Sequence, residues 1–264
     1  MALWDAIHAA LAEEIGRGTY PPGTKLPGEV ALAQRFGVNR HTVRRALARL
    51  VADGRIHVRR GAGATVLPPP MDYAITKRTR FSEGVARAGR QAGRRLVRLE
   101  TVPAMPGDAR RLAIAVGSPV CVMESVGTAD GVPVVLGAHR FAADRLPGIE
   151  AALSDRLPKD DGEAGALPGT GDASISDALA AVGVADYTRG MTRISAVSAD
   201  PVSANHLMVE PGAPLIETTG LDLGPDGAPI NDVRTLMVAG RMTLVVDGGG
   251  VMSTEDRASE ETTT

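Results

Sequence analysis

One cysteine, three lysines and seven aromatic residues (three Phe, three Tyr, one Trp) are all that the 264 residues contain of those types. The lone Cys121 excludes an internal disulfide and a cysteine-built zinc site, and reads as a buried structural residue. Five scattered histidines, His8, His41, His57, His139 and His206, contain no i, i+4 pair, so no metal site is expected. No Ser/His/Asp order and no paired-carboxylate motif stands out. The reading is therefore not an enzyme, with no catalytic residues and no cofactor. No apolar run approaches the roughly 18 residues of a membrane span, and Met1-Ala2-Leu3-Trp4-Asp5 offers neither a basic nor an apolar leader region. A cytoplasmic protein without membrane contact is the expectation.

What is present is arginine, unevenly placed. The net charge of -2 conceals +5 over residues 1–67, +6 over 68–98 and -13 over the remainder. A basic front on an acidic body suits a head that meets polyphosphate.

The front reads as three helices and a hairpin. Trp4, Ile7, Leu11 and Ile15 recur at helical spacing up to Gly16 and Gly18. Residues 28–36 place Leu32 and Phe36 on one face of a short second helix that stops at Gly37. Asn39 caps a third, in which Val43, Ala46, Leu47 and Leu50 form the apolar side and His41, Arg44, Arg45 and Arg49 the opposite one. Residues 56–60 alternate like a strand, Gly61-Ala62-Gly63 turns, and 65–67 return. Three helices and a two-stranded wing make a winged helix-turn-helix over 1–67. The third helix would enter the major groove, with Arg40, His41, Thr42, Arg44 and Arg45 at its base-reading end. Arg59 and Arg60 would hold phosphates or enter the minor groove, while Gly61 and Gly63 allow close backbone approach. A Gly-x-Gly turn leading into a strand and prolines lacks the helix that dinucleotide binding needs.

Pro68-Pro69-Pro70 stiffens a linker over 68–76. Beyond it, 81–90 reads as a helix, and β-like runs occupy 96–102, 119–126, 132–141, 191–197, 215–223 and 242–246. Helical pieces fall at 175–181 and 201–208, and Asp130-Gly131 and Asp226-Gly227 mark hairpins. The fold class is α+β with an antiparallel sheet over 77–247. Residues 159–173 read as a mobile loop and 248–264 as a disordered tail.

Tyr20-Pro21-Pro22-Gly23-Thr24-Lys25-Leu26-Pro27-Gly28-Glu29, Phe36-Gly37-Val38-Asn39-Arg40, Thr42-Val43-Arg44 and Gly61-Ala62-Gly63-Ala64-Thr65-Val66 resemble the DNA-binding head of the GntR superfamily. The resemblance implies DNA contacts at Arg40, Thr42, Arg44 and Gly61. Gly28 departs from the usual Ser, removing a cap, and Val30 stands where some relatives place an arginine. Phe81-Ser82-Glu83, Ala129-Asp130-Gly131-Val132-Pro133, Gly183-Val184-Ala185-Asp186-Tyr187 and Pro214-Leu215 resemble the UTRA effector domain of the HutC branch, a fold similar to chorismate lyase. His139-Arg140-Phe141 and Asp186-Tyr187-Thr188-Arg189 look like the PhnF type, regulators of phosphonate utilisation.

The resemblance implies a homodimer on double-stranded operator DNA, acting as a repressor released by a small anionic effector, a phosphonate or phosphate-containing metabolite. A helix start and arginine forks suit an oxyanion. The effector residues expected are Arg80, Phe81, Ser82, Glu83, Arg140, Tyr187, Arg189 and Arg234, with Arg140 foremost. Alternatives are a sugar phosphate, a carboxylate such as urocanate, or a lyase-like enzyme with an accessory winged helix. Sugar-phosphate sensors often carry two arginines where this chain has Ser125 and Gly127, which disfavours that ligand. Fusion to a pyridoxal-phosphate enzyme would require a much longer chain with a Schiff-base lysine.

Overall fold

The structure is a computed structural model that describes residues 2–59, 63–76, 78, 80–157 and 174–246. In the front part α1 (Leu3–Gly16), α2 (Glu29–Phe36) and α3 (Arg40–Ala52) precede the wing strands β1 (Ile56–Arg59) and β2 (Gly63–Val66). Ile7, Leu11, Leu32, Val43, Leu50, Ile56 and Val66 share one buried cluster, each burial stabilising by roughly 1.5–3 kcal/mol. Asn39 caps α3, accepting from the Thr42 backbone N–H at 2.9 Å, and Gly37 ends α2 at a φ of 64°. Gly28 precedes α2 without a side-chain cap. The wing pairs antiparallel from Ile56↔Val66 to Arg59↔Gly63. Arg60 and Gly61 lie outside the described residues, as do the expected loop 159–173 and the expected tail 248–264.

The rear part contains β3 (Met71–Ala74), α4 (Phe81–Arg87), β4 (Ala92–Pro103), α5 (Pro106–Leu112), β5 (Pro119–Ala129), β6 (Val132–Ala142), α6 (Ile149–Arg156), α7 (Ile175–Ala181), β7 (Thr188–Ser198), α8 (Pro201–Leu207), β8 (Pro214–Leu223), β9 (Pro229–Val238) and β10 (Met242–Val245). Six strands form an antiparallel sheet in the order β4-β5-β6-β9-β8-β7, while β3 and β10 form a separate parallel pair. Asp130 and Gly131 turn β5 into β6 with φ of 51° and 77°, the positive values a tight hairpin needs. Helices α6 and α7 pack over Cys121, Met123, Phe141 and Ile230. Burial pushes the Cys121 thiol up to about 12, so it is inert.

Two expectations are corrected. Four residues of the expected linker, Met71–Ala74, form a strand, because Met71 to Ala74 pair with Met242 to Val245; a strand whose partner lies far along the chain carries no local signal. Strand β9 was not anticipated, since Asn231, Asp232, Arg234 and Thr235 put polar groups on both of its faces and erase the alternation.

Head and body meet at a backbone seat. Gly54, just beyond α3, has a φ of +67°, and a Cβ there would lie 2.5 Å from the Gly240 carbonyl oxygen in the β9–β10 turn. That turn is held by the buried Arg241, whose guanidinium donates to the carbonyls of Pro133 (2.6 Å), Leu207 (2.7 Å) and Met208 (3.0 Å). A Gly54→Ala variant is expected to lose about 1–3 kcal/mol, combining left-handed strain with overpacking; urea unfolding followed by circular dichroism measures it.

Candidate functional site

The face of α3 turned away from the core carries Arg40, His41, Arg44 and Arg45, all exposed. Glu29 at the start of α2 organises part of it: its carboxylate accepts from Arg44 Nη2 at 2.9 Å and lies 3.7 Å from Arg40. The Arg44 hydrogen bond holds the Glu29 carboxyl below its usual range. Thr42 is tied down, its hydroxyl 3.0 Å from Asn39 Oδ1. Arg45 is tethered to α1, its guanidinium 4.6 Å from the Trp4 ring centre. Gly63, with a φ of +86°, has open space where a Cβ would point. The side chain of Arg59 lies outside what is described, as do Arg60 and Gly61.

In the rear part a cavity of about 70 Å³ opens between the sheet, β3 and the first turns of α4 and α7. Arg80, Phe81 and Ser82 enter it from α4, Arg94 from β4, His139 from β6, Tyr187 and Arg189 from the start of β7, Asp222 from β8, and Asn231 and Thr235 from β9. Arg94 is buried, donates to Ser125 Oγ at 2.9 Å and stacks 5.0 Å from the Phe81 ring centre. Burial lowers its pKa to about 10, which leaves it charged at neutral pH. Arg80 lies over the Tyr187 ring at 4.1 Å and reaches Asp186 at 3.4 Å. Arg189 approaches Asp222 only to 3.9 Å. Arg80 Nη1 and Arg189 Nε and Nη1 are buried without a hydrogen-bond partner among the described residues. His139 is held neutral, its pKa pushed down to about 3 by burial first and by Arg94 and Arg189 next.

Of the expected effector set, the cavity brings together Arg80, Phe81, Ser82, Tyr187 and Arg189 and leaves the other three outside it. Arg140 does not line the cavity: on β6 the residues Val135, Gly137 and His139 face it, so Arg140 falls on the opposite face, 3.5 Å from Asp108. Arg234 is excluded by the same alternation on β9, where Asn231, Val233 and Thr235 face the cavity, and it pairs instead with Glu217 at 2.7 Å. Glu83 turns to Arg80 and Arg87 outside. Sequence reasoning missed Arg94, His139, Asp222 and Asn231. The parity of Gly137 and Phe141 about His139 was the available signal for one of them. The substitutions at 125 and 127 acquire a reason: Ser125 accepts from Arg94, and a Cβ on Gly127 would lie 2.8 Å from Phe81 Cζ.

Among the described residues no group of three or more potential metal ligands occurs, and no helix is long and apolar enough to cross a membrane. Residues 3–66 match the family of bacterial regulatory proteins described as gntR, and residues 87–243 match the UTRA domain. An HTH-type transcriptional regulator of Rhizobium meliloti is 32% identical over 94% of this chain and 95% of its own length. The HTH-type transcriptional repressor PhnF of Mycolicibacterium smegmatis is 29% identical over 84% of this chain and 83% of its own. The crystal structure of PhnF from Mycobacterium smegmatis superposes with a TM-score of 0.58 at 28% identity, covering 91% of this chain and 98% of that one. A basic recognition helix joined to an arginine-lined cavity agrees with these likenesses: the chain belongs to the GntR family, as a DNA-binding transcriptional regulator of the HutC type, PhnF-like, with a UTRA effector domain, and not to a family of enzymes.

Proposed function

We propose that this regulator is a homodimeric repressor that leaves its operator when a small anion, a phosphonate or phosphate-containing metabolite, enters the cavity. The observation that carries the reading is the convergence of Arg80, Arg94 and Arg189 on one cavity, with three buried N–H-bearing nitrogens that have no acceptor among the described residues. Buried guanidinium groups left without acceptors are costly, and an oxyanion removes that cost through charge-assisted bonds. The M. smegmatis relative is named a repressor, and we extend that sign to this chain.

The linkage between sites runs along β9. Asn231, Val233, Thr235 and Met237 line the cavity, and the turn that follows the strand meets Gly54 at the end of α3. An anion that repositions β9 therefore changes how the head is seated, so that ligand and DNA favour different arrangements. Dimerisation is assigned to β7, an edge strand of the six-stranded sheet. Met191 is 72% and Ile194 48% exposed there, and an unpaired apolar edge seeks a partner strand.

Three outcomes are expected. In anisotropy titrations of operator DNA, Arg44→Ala loses about 1–3 kcal/mol of binding. Arg189→Ala raises the phosphate or alkylphosphonate concentration for half-release about tenfold or more, whereas Arg140→Ala leaves it unchanged; equal responses of wild type and Arg189→Ala would overturn the effector reading. The double variant Met191→Asp, Ile194→Asp sediments as a monomer and binds operator weakly, and a dimer at the same concentration would move the interface elsewhere.

A further inference from the structure

The arginines explain one end of the cavity but not the polar cluster beside them. Asn231, 1% exposed, places its Nδ2 2.8 Å from Asp222 Oδ2 and 3.0 Å from His139 Nδ1. Burial pushes the Asp222 carboxyl up, while Arg189, the Asn231 hydrogen bond and Arg80 oppose the rise; its ionised form only accepts, and in that form the amide nitrogen faces Asp222. The same orientation makes His139 Nδ1 an acceptor and puts the imidazole proton on Nε2. Both amide hydrogens of Asn231 are then used, and its Oδ1 is left buried with no partner among the described residues. Asp222 is itself buried, and its nearest cation, Arg189 Nε at 3.9 Å, is beyond hydrogen-bond reach. An orphaned acceptor next to an incompletely paired carboxylate asks for a donor, and a cationic one satisfies both.

We infer that Asn231 and Asp222 form a second subsite that receives an ammonium group of the effector, so that the ligand is a compact zwitterion whose anionic end lies on Arg80, Arg94 and Arg189. This rests on the anion reading of the same cavity. Asp222 and Arg189 are adjacent, which places the two charged ends of the ligand a short chain apart.

Isothermal titration of the full chain with ethylphosphonate, 2-hydroxyethylphosphonate and 2-aminoethylphosphonate tests the inference. These probes share the anionic end and differ at the other. The amino compound is expected to bind about tenfold or more tightly than either of the others, as one charge-assisted bond provides. Asp222→Asn, nearly isosteric, is expected to bring the three to within about twofold. Equal binding of the ethyl and amino compounds by the wild type would overturn the second subsite while leaving the anion reading intact. Equal binding of the hydroxy and amino compounds would overturn the ammonium assignment. Binding of none of the three would remove the anion reading and this inference together. The wild-type comparison needs no variant to fold.

Discussion

Uncompensated positive charge inside the rear domain is the constraint around which the structure is arranged. Arg94 is buried among Ser125, Phe81 and two tyrosines, and among the described residues the ion-pair partner of Arg189 is Asp222, at 3.9 Å. Guanidinium groups lose hydration on burial, and a protein that keeps them there sacrifices stability for a site poised toward an anion. The surrounding residues make the burial tolerable without cancelling it. Aromatic faces under Arg80 and Arg94 contribute cation–π attraction, hydroxyls accept single bonds, and His139 stays neutral, adding no further charge.

The same logic accounts for the contrast with Arg241, whose burial is also deep. There three carbonyl oxygens accept from the guanidinium, so the group is satisfied within the protein and serves as an anchor. Satisfaction of the N–H groups, more than depth of burial, separates a structural arginine from one that awaits a ligand.

The head was legible because its signals are local. The Asn39 cap, the Gly37 stop and the 3.6-residue recurrence of Val43, Ala46, Leu47 and Leu50 each act within one or two turns, and the structure places them as read. The cavity was legible only in part. Arg80, Phe81, Ser82, Tyr187 and Arg189 lie in motifs that could be recognised, while Arg94, Asp222 and Asn231 come from strands whose partners and facing directions depend on pairing across the sheet. Arg140 shows how sharp that dependence is: one residue along β6 separates the cavity from the opposite face of the sheet. Strand β9, polar on both sides, hid Asn231 for the same reason.

The Gly54 and Gly240 contact reaches beyond this chain's own stability. Recognition heads and effector domains are natural units for recombination, and a surface-to-surface contact between side chains would tolerate exchange of either one. Here the two backbones are in direct contact, and neither position has room for even a methyl group. A foreign head grafted onto this body would have to bring a glycine to the same spot beyond its recognition helix, and a foreign body would have to bring its own in a strand-to-strand turn. The pair acts as a compatibility code, restricting which heads and bodies can evolve as partners although neither glycine lines the cavity.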